Sequence, residues 1–246
     1  MADYVYLFFP LLFVVAFLYA SVGHGGASGY LALMAIFSVT PAVMKPTALL
    51  LNLFVAGSSF YQFHKGGHFK WKIFWPFAAA SIPFAYLGGT ITIDQYTYKK
   101  VLGVLLLIPV VRFFFFKNTD PKDFETPRLL PSLLIGGVIG FLSGLIGIGG
   151  GIILSPVLLL LKWTDQKQTA AISAAFILVN SVSGLAGMLS KGIDFSPDML
   201  WYVVVAFAGG LCGAYFGAKK FHQDALKTIL ACVLALAAYK LLFTTA

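Results

Sequence analysis

Charge is what this chain has least of. Only 11% of its 246 residues are Asp, Glu, Lys or Arg, and only nine of those are acidic. Soluble domains carry roughly a quarter of their residues charged, so a surface that faces water along the whole chain is excluded. Cysteine is almost missing as well. Cys212 and Cys232 both sit in apolar stretches with no CxxC partner and read as two inert buried thiols, which say nothing of redox compartment or metal. Of the four histidines, His64, His68 and His222 fall in polar connections, and no carboxylate lies well inside an apolar run. Neither a metal cluster nor a pair of carboxylates for acid–base chemistry can be assembled, so no metal, no cofactor and no enzymatic activity are expected. The N-terminus has no basic n-region, carries Asp3, and its apolar run is too long for the h-region of a signal peptide, so it reads as a first membrane span.

Apolar residues are what is abundant. They make up 59% of the chain, with 24 phenylalanines, and the mean hydropathy is +0.89. Ten apolar segments can be drawn, at 4–22, 26–44, 46–63, 73–90, 99–116, 131–146, 149–161, 169–189, 199–218 and 224–243. Most approach the ~20 residues needed to cross about 30 Å of hydrocarbon. The expected fold is an all-α polytopic membrane protein. Its net charge of +8 comes from Lys and Arg confined to short connections, which points to membrane topology and lipid rather than to nucleic acid.

The longest polar interruption is Lys117 to Arg128, with two prolines and alternating charges. It divides the chain into a first repeat over 1–116, a linker over 117–130 and a second repeat over 131–246. Gly23-His24-Gly25-Gly26 matches Gly147-Ile148-Gly149-Gly150, Lys65-Gly66 matches Lys191-Gly192, and Ala85-Tyr86-Leu87-Gly88 matches Ala214-Tyr215-Phe216-Gly217. Matches that keep their order over so long a stretch indicate an internal repeat. If all ten segments cross, the basic residues divide 12 to 5 between the two sides; if 26–44 and 149–161 turn back instead, they divide 9 to 8. The positive-inside rule favours the first arrangement. Five segments per half then force the halves to be inverted, with both termini outside.

The glycine clusters carry the chemistry. Glycine within a helix costs about 1 kcal/mol relative to alanine, so Gly23, His24, Gly25, Gly26, Ala27 and Ser28, and Gly147, Gly149, Gly150 and Gly151, mark helix breaks at equivalent places. Broken backbone inside a membrane is tolerated only where it lines a cavity or is buried in protein. A half-helix starting there directs N–H groups at an anion; the alternative is glycine that merely allows close helix packing. On the helices that follow, Asn52 and Ser59 are seven residues apart, as are Ser173 and Asn180, and a seven-residue step returns to one helical face. These four are candidates to line the same site, with Ser58, Ser181 and Ser183 as further polar positions. His24 is the titratable group within a cluster and the candidate for proton coupling.

The run Gly147-Ile148-Gly149-Gly150-Gly151-Ile152-Ile153-Leu154-Ser155-Pro156 resembles the glycine-rich, proline-ended motif of the TauE/SafE family of sulfite exporters and sulfonate permeases. The first-half copy departs from it at His24 and Ser28, and has Ala32 where the motif ends in proline. The resemblance implies a secondary carrier in a bacterial-type cell membrane whose partner is a small anion, sulfite or an organosulfonate, and which could form a homo-oligomer. Two other readings remain open at this point. The glycine breaks could form the filter of an anion channel. Gly26-Ala27-Ser28-Gly29 followed by Tyr30 also reads like the nucleophile motif of an intramembrane serine protease, which would require a histidine from another span.

Overall fold

In the computed structural model, which describes residues 2–21, 25–115, 124–192, 198–217 and 223–243, each of the ten apolar segments contains a helix. The first half supplies α1 (Ala2–Ser21), α2 (Ala27–Ile36), α3 (Pro41–Lys65), α4 (Trp71–Thr90) and α5 (Gln95–Phe115). The second half supplies α6 (Leu129–Ile146), α7 (Gly151–Leu160), α8 (Gln166–Leu189), α9 (Asp198–Gly217) and α10 (Gln223–Phe243). Helix is the form that satisfies every backbone group within one segment where no water reaches. Starts are set locally: Pro41 occupies the first turn of α3, while Asp94 accepts from the Thr97 N–H at 2.9 Å and Asp165 from the Gln168 N–H at 2.8 Å. At the start of α5 the Thr97 side chain, and after it the Thr97 N–H, hold the exposed Asp94 carboxyl below its ordinary pKa.

By length and composition, α3, α6 and α8 are long and apolar enough to cross a membrane. Outward faces are apolar too, with Leu130 66% and Val138 62% exposed, a surface that suits lipid and not water. Large aromatics stand exposed near helix ends, among them Trp71, Tyr96, Trp201 and Tyr239, in the manner of interfacial belts. Cys212 and Cys232 are exposed on α9 and α10, which corrects their reading as buried: an apolar stretch facing lipid leaves its thiols on the outside.

Two of the ten segments differ from the spans drawn in the sequence. Segments 26–44 and 149–161 contain the helices α2 and α7, each of ten residues and hence about 15 Å long, half the hydrocarbon thickness. Segment 26–44 is split because α2 ends at Ile36, with Phe37 as its C-cap, and Pro41 starts α3. The ten segments thus hold eight long helices and two half-length ones.

Two helix pairs that join the halves pack alike. Adding a Cβ to Gly136, Gly140 or Gly144 on α6 would drive it into the backbone of Phe77, Ser81 or Ala85 on α4, turn by turn, so these helices run parallel with their backbones touching. On the other side, Gly209 and Gly213 of α9 lie against Phe13 and Phe17 of α1 in the same parallel sense. Between them α3 and α8 run antiparallel: Leu49 lies by Gly184, Asn52 by Ser181, and Gly57 by Leu178. At one end of the bundle Lys45 Nζ donates to the Ile91 carbonyl at 3.1 Å and Lys240 Nζ to the Ile36 carbonyl at 2.6 Å. Lys100 bonds the Leu242 carbonyl there as well. These contacts gather the α2–α3 and α4–α5 connections and the end of α10 on one face.

Candidate functional site

Each half-length helix begins at a glycine that no other residue would replace easily. Gly26 (φ 89°) and Gly150 (φ 78°) are the N-caps of α2 and α7, both left-handed, and neither helix receives a side-chain cap. The first N–H groups of a helix have no acceptor within it. Asp165 supplies one for α8; at these two starts, as at those of α3, α4 and α6, no side chain does.

The two clusters converge. A Cβ built on Gly25 would lie 3.0 Å from Ile177 Cγ2 and 3.2 Å from Asn52 Oδ1, and one built on Gly149 would lie 3.0 Å from the same Ile177 methyl and 2.5 Å from Asn52 Nδ2. Glycines from the two halves therefore approach one pair of side chains, one from α3 and one from α8. Asn52 is fully buried; its amide nitrogen donates to the Ser181 hydroxyl at 3.2 Å, and its carbonyl oxygen has no protein partner. Around this point, Ala27 opens α2, and Gly151 opens α7 against Ile177 and the Ser173 carbonyl. Gly147 (φ 87°) caps the end of α6 against Lys45.

Other candidates are arranged differently from their sequence pairing. Ser173 shares a 2.8 Å hydrogen bond with Ser155 of α7 and so braces that half-helix. Ser59 and Asn180 are buried, and neither the Ser59 hydroxyl nor either polar atom of the Asn180 amide has a protein partner; Ser59 stands two turns along α3 from Asn52, about 10 Å away. Ser58 bonds its own helix at Phe54, and Ser183 bonds the Ile82 carbonyl of α4. Gly23 and His24 lie outside the described residues. The shared contacts with Gly25 and Gly149 set Ile177 of α8 opposite Asn52 of α3.

Sequence reasoning missed Ile177, because an isoleucine in an apolar helix carries no signal. Counting from the N-caps Thr40 and Asp165 would have found it. It also missed Tyr30, whose ring lies against Gly26. The Ser28 hydroxyl, the nucleophile of the protease reading, shares a 2.8 Å hydrogen bond with the Tyr19 hydroxyl, a partner that does not act as a base at neutral pH.

Comparison with known proteins points one way. The family described as sulfite exporter TauE/SafE matches residues 8–241. A probable membrane transporter protein of Sinorhizobium fredii is 38% identical over 94% of this chain and 95% of its own length. Another from Methanocaldococcus jannaschii is 28% identical, covering 82% of this chain and 80% of its own, and one from Bacillus subtilis is 22% identical over 85% and 87%. No solved structure matches the chain.

Proposed function

We propose a transport mechanism from one premise: the chain belongs to the sulfite exporter TauE/SafE family, and it is a membrane transporter. Its cargo is a small anion, namely sulfite, an organosulfonate or a related organic anion, carried by alternating access as a secondary transporter. The observation that carries this reading is the meeting of Gly25 and Gly149 at Asn52, which directs two uncapped helix N-termini toward one buried amide. Helix N-termini bind anions without a fixed cation, and the second amide proton of Asn52 adds a donor. A site without a lysine or arginine partner can also release its anion, which a carrier requires.

Two inverted repeats, residues 1–116 and 131–246 joined by 117–130, give such a carrier its two faces. Support comes from the antiparallel course of α3 and α8 and from the clustering of Lys45, Lys100 and Lys240 at one end. By the positive-inside rule that end, with fewer basic residues, is the outer one, which puts both termini outside a bacterial-type cell membrane. His24 is the group that would couple anion movement to protons.

Proteoliposomes loaded with sulfite or methanesulfonate test the reading. Flux should saturate with substrate and accelerate when the same anion is present on the far side, as counterflow. Unsaturable flux that carries a steady current would point to a channel, and no flux of either anion would remove the sulfur oxyanion assignment.

A further inference from the structure

Tyr30 lies one turn inside α2, is 0% exposed, and its hydroxyl has no protein partner. Buried hydroxyls are nearly always paired. Side chains on a helix lean toward its N-terminus, and this one folds back over the cap: a Cβ built on Gly26 would lie 2.6 Å from the Tyr30 hydroxyl oxygen. That oxygen therefore stands beside the left-handed glycine and the first N–H groups of α2, the N-terminus that receives no side-chain cap.

The matching position in the other half is different. Tyr30 is the fourth residue after Gly26, and the fourth after Gly150 is Leu154, equally buried and with nothing to donate. The same contrast holds at two neighbouring places, Ser28 against Ile152 and Asn52 against Ile177, whereas Ser155 and Ser173 of the second half bond one another. At the positions nearest the two caps, the α2 pole is polar and the α7 pole is aliphatic.

We infer that Tyr30 is a substrate-binding residue, its O–H donating to an oxyanion oxygen held at the N-terminus of α2. The α2 pole grips the charged oxygens, and the α7 pole meets the remainder of the ligand with backbone and hydrocarbon. A phenol bonded to an anion is a charge-assisted donor, stronger than a neutral pair, which accounts for a hydroxyl with no protein partner at this depth. The inference rests on the anion-transport reading above and names a further ligand of the same site.

Tyr30→Phe removes one oxygen and leaves the packing intact. Binding of sulfite and of methanesulfonate to the purified full-length chain in detergent is followed by calorimetry and by thermal shift. The Kd of the variant should rise about tenfold or more for both probes, while its melting temperature without anion stays level or rises, since an unpaired buried hydroxyl is gone. Tyr30→Leu, which copies the second half, should lose affinity similarly. Tyr61→Phe, on the exposed face of α3, should bind both probes as the wild type does. Wild-type affinity in both Tyr30 variants would overturn the inference alone and make Tyr30 a packing residue. A wild-type chain that binds neither probe would overturn the transport reading together with it.

Discussion

Asn52 of α3 donates to the Ser181 hydroxyl of α8 at 3.2 Å, joining residues 129 apart and from different halves of the chain. The same carboxamide is the nearest polar group to glycines of both clusters. One side chain thus links the antiparallel pair at the centre of the bundle to both half-helix starts. Any motion that separates α3 from α8 must break or exchange this bond.

Asn52→Leu keeps the volume of the side chain and removes its polar atoms. A hydrogen bond to a charged group is worth about 1.5–3 kcal/mol, so the Kd for sulfite should rise roughly 10- to 100-fold. The protein should still elute as a single folded species. Calorimetry on the purified variant checks this, and unchanged affinity would move the site away from Asn52.

Gly26→Ala and Gly150→Ala place a Cβ in a left-handed conformation, at about 1–2 kcal/mol each, and against Tyr30 or against Phe176 at 2.9 Å. Both should lower the melting temperature and abolish stabilisation by anion, which for the wild type at ~100 times Kd is about 2.7 kcal/mol. Gly57→Ala is the control, because its Cβ would meet only Leu178 at 3.9 Å; it should be neutral or slightly stabilising and keep its anion response. If the two cap variants fold and respond to anion normally, the clusters serve packing.

Lys240→Met keeps the aliphatic stem and loses the bonds to the Ile36 carbonyl and the Ser38 hydroxyl. The C-terminal end of α2 then keeps an unpaired carbonyl, at about 1–2 kcal/mol, or a fall of several degrees in melting temperature. Anion affinity should change little, since the other end of α2 faces the site. A thermal scan with and without sulfite separates the two effects.

A C-terminal reporter that fluoresces only in the cytoplasm should stay dark, and one active only in the periplasm should score. The expectation follows from the 12 to 5 division of basic residues, since Lys240 near the end of α10 lies on the side that holds five. A bright cytoplasmic signal would reverse the assigned orientation.

Much was legible before any coordinates. Length and unbroken hydropathy are local properties, so the helices and the long polar linker could be drawn from composition, and the cost of glycine inside a helix marked both breaks at Gly26 and Gly150 in advance. The faces of the helices were not legible. An apolar helix in lipid has no polar stripe to show which side meets protein, so Cys212 and Cys232 were taken as buried and Ile177 was not seen beside Asn52. Contact here is decided by small residues that let backbones touch, as Gly144 does with Ala85, and that depends on the register between helices far apart in sequence.

By itself, then, the sequence determined that this chain lives in a membrane, that short motifs recur in order along it, and that two glycine clusters interrupt it where helix is expensive. Only the tertiary structure decided that α2 and α7 stop halfway, that their starts face one buried amide, and that Tyr30 and Leu154 make the two poles unequal. Secondary structure in lipid follows from backbone hydrogen bonding within each segment. The site follows from the fit between segments, which no single segment encodes.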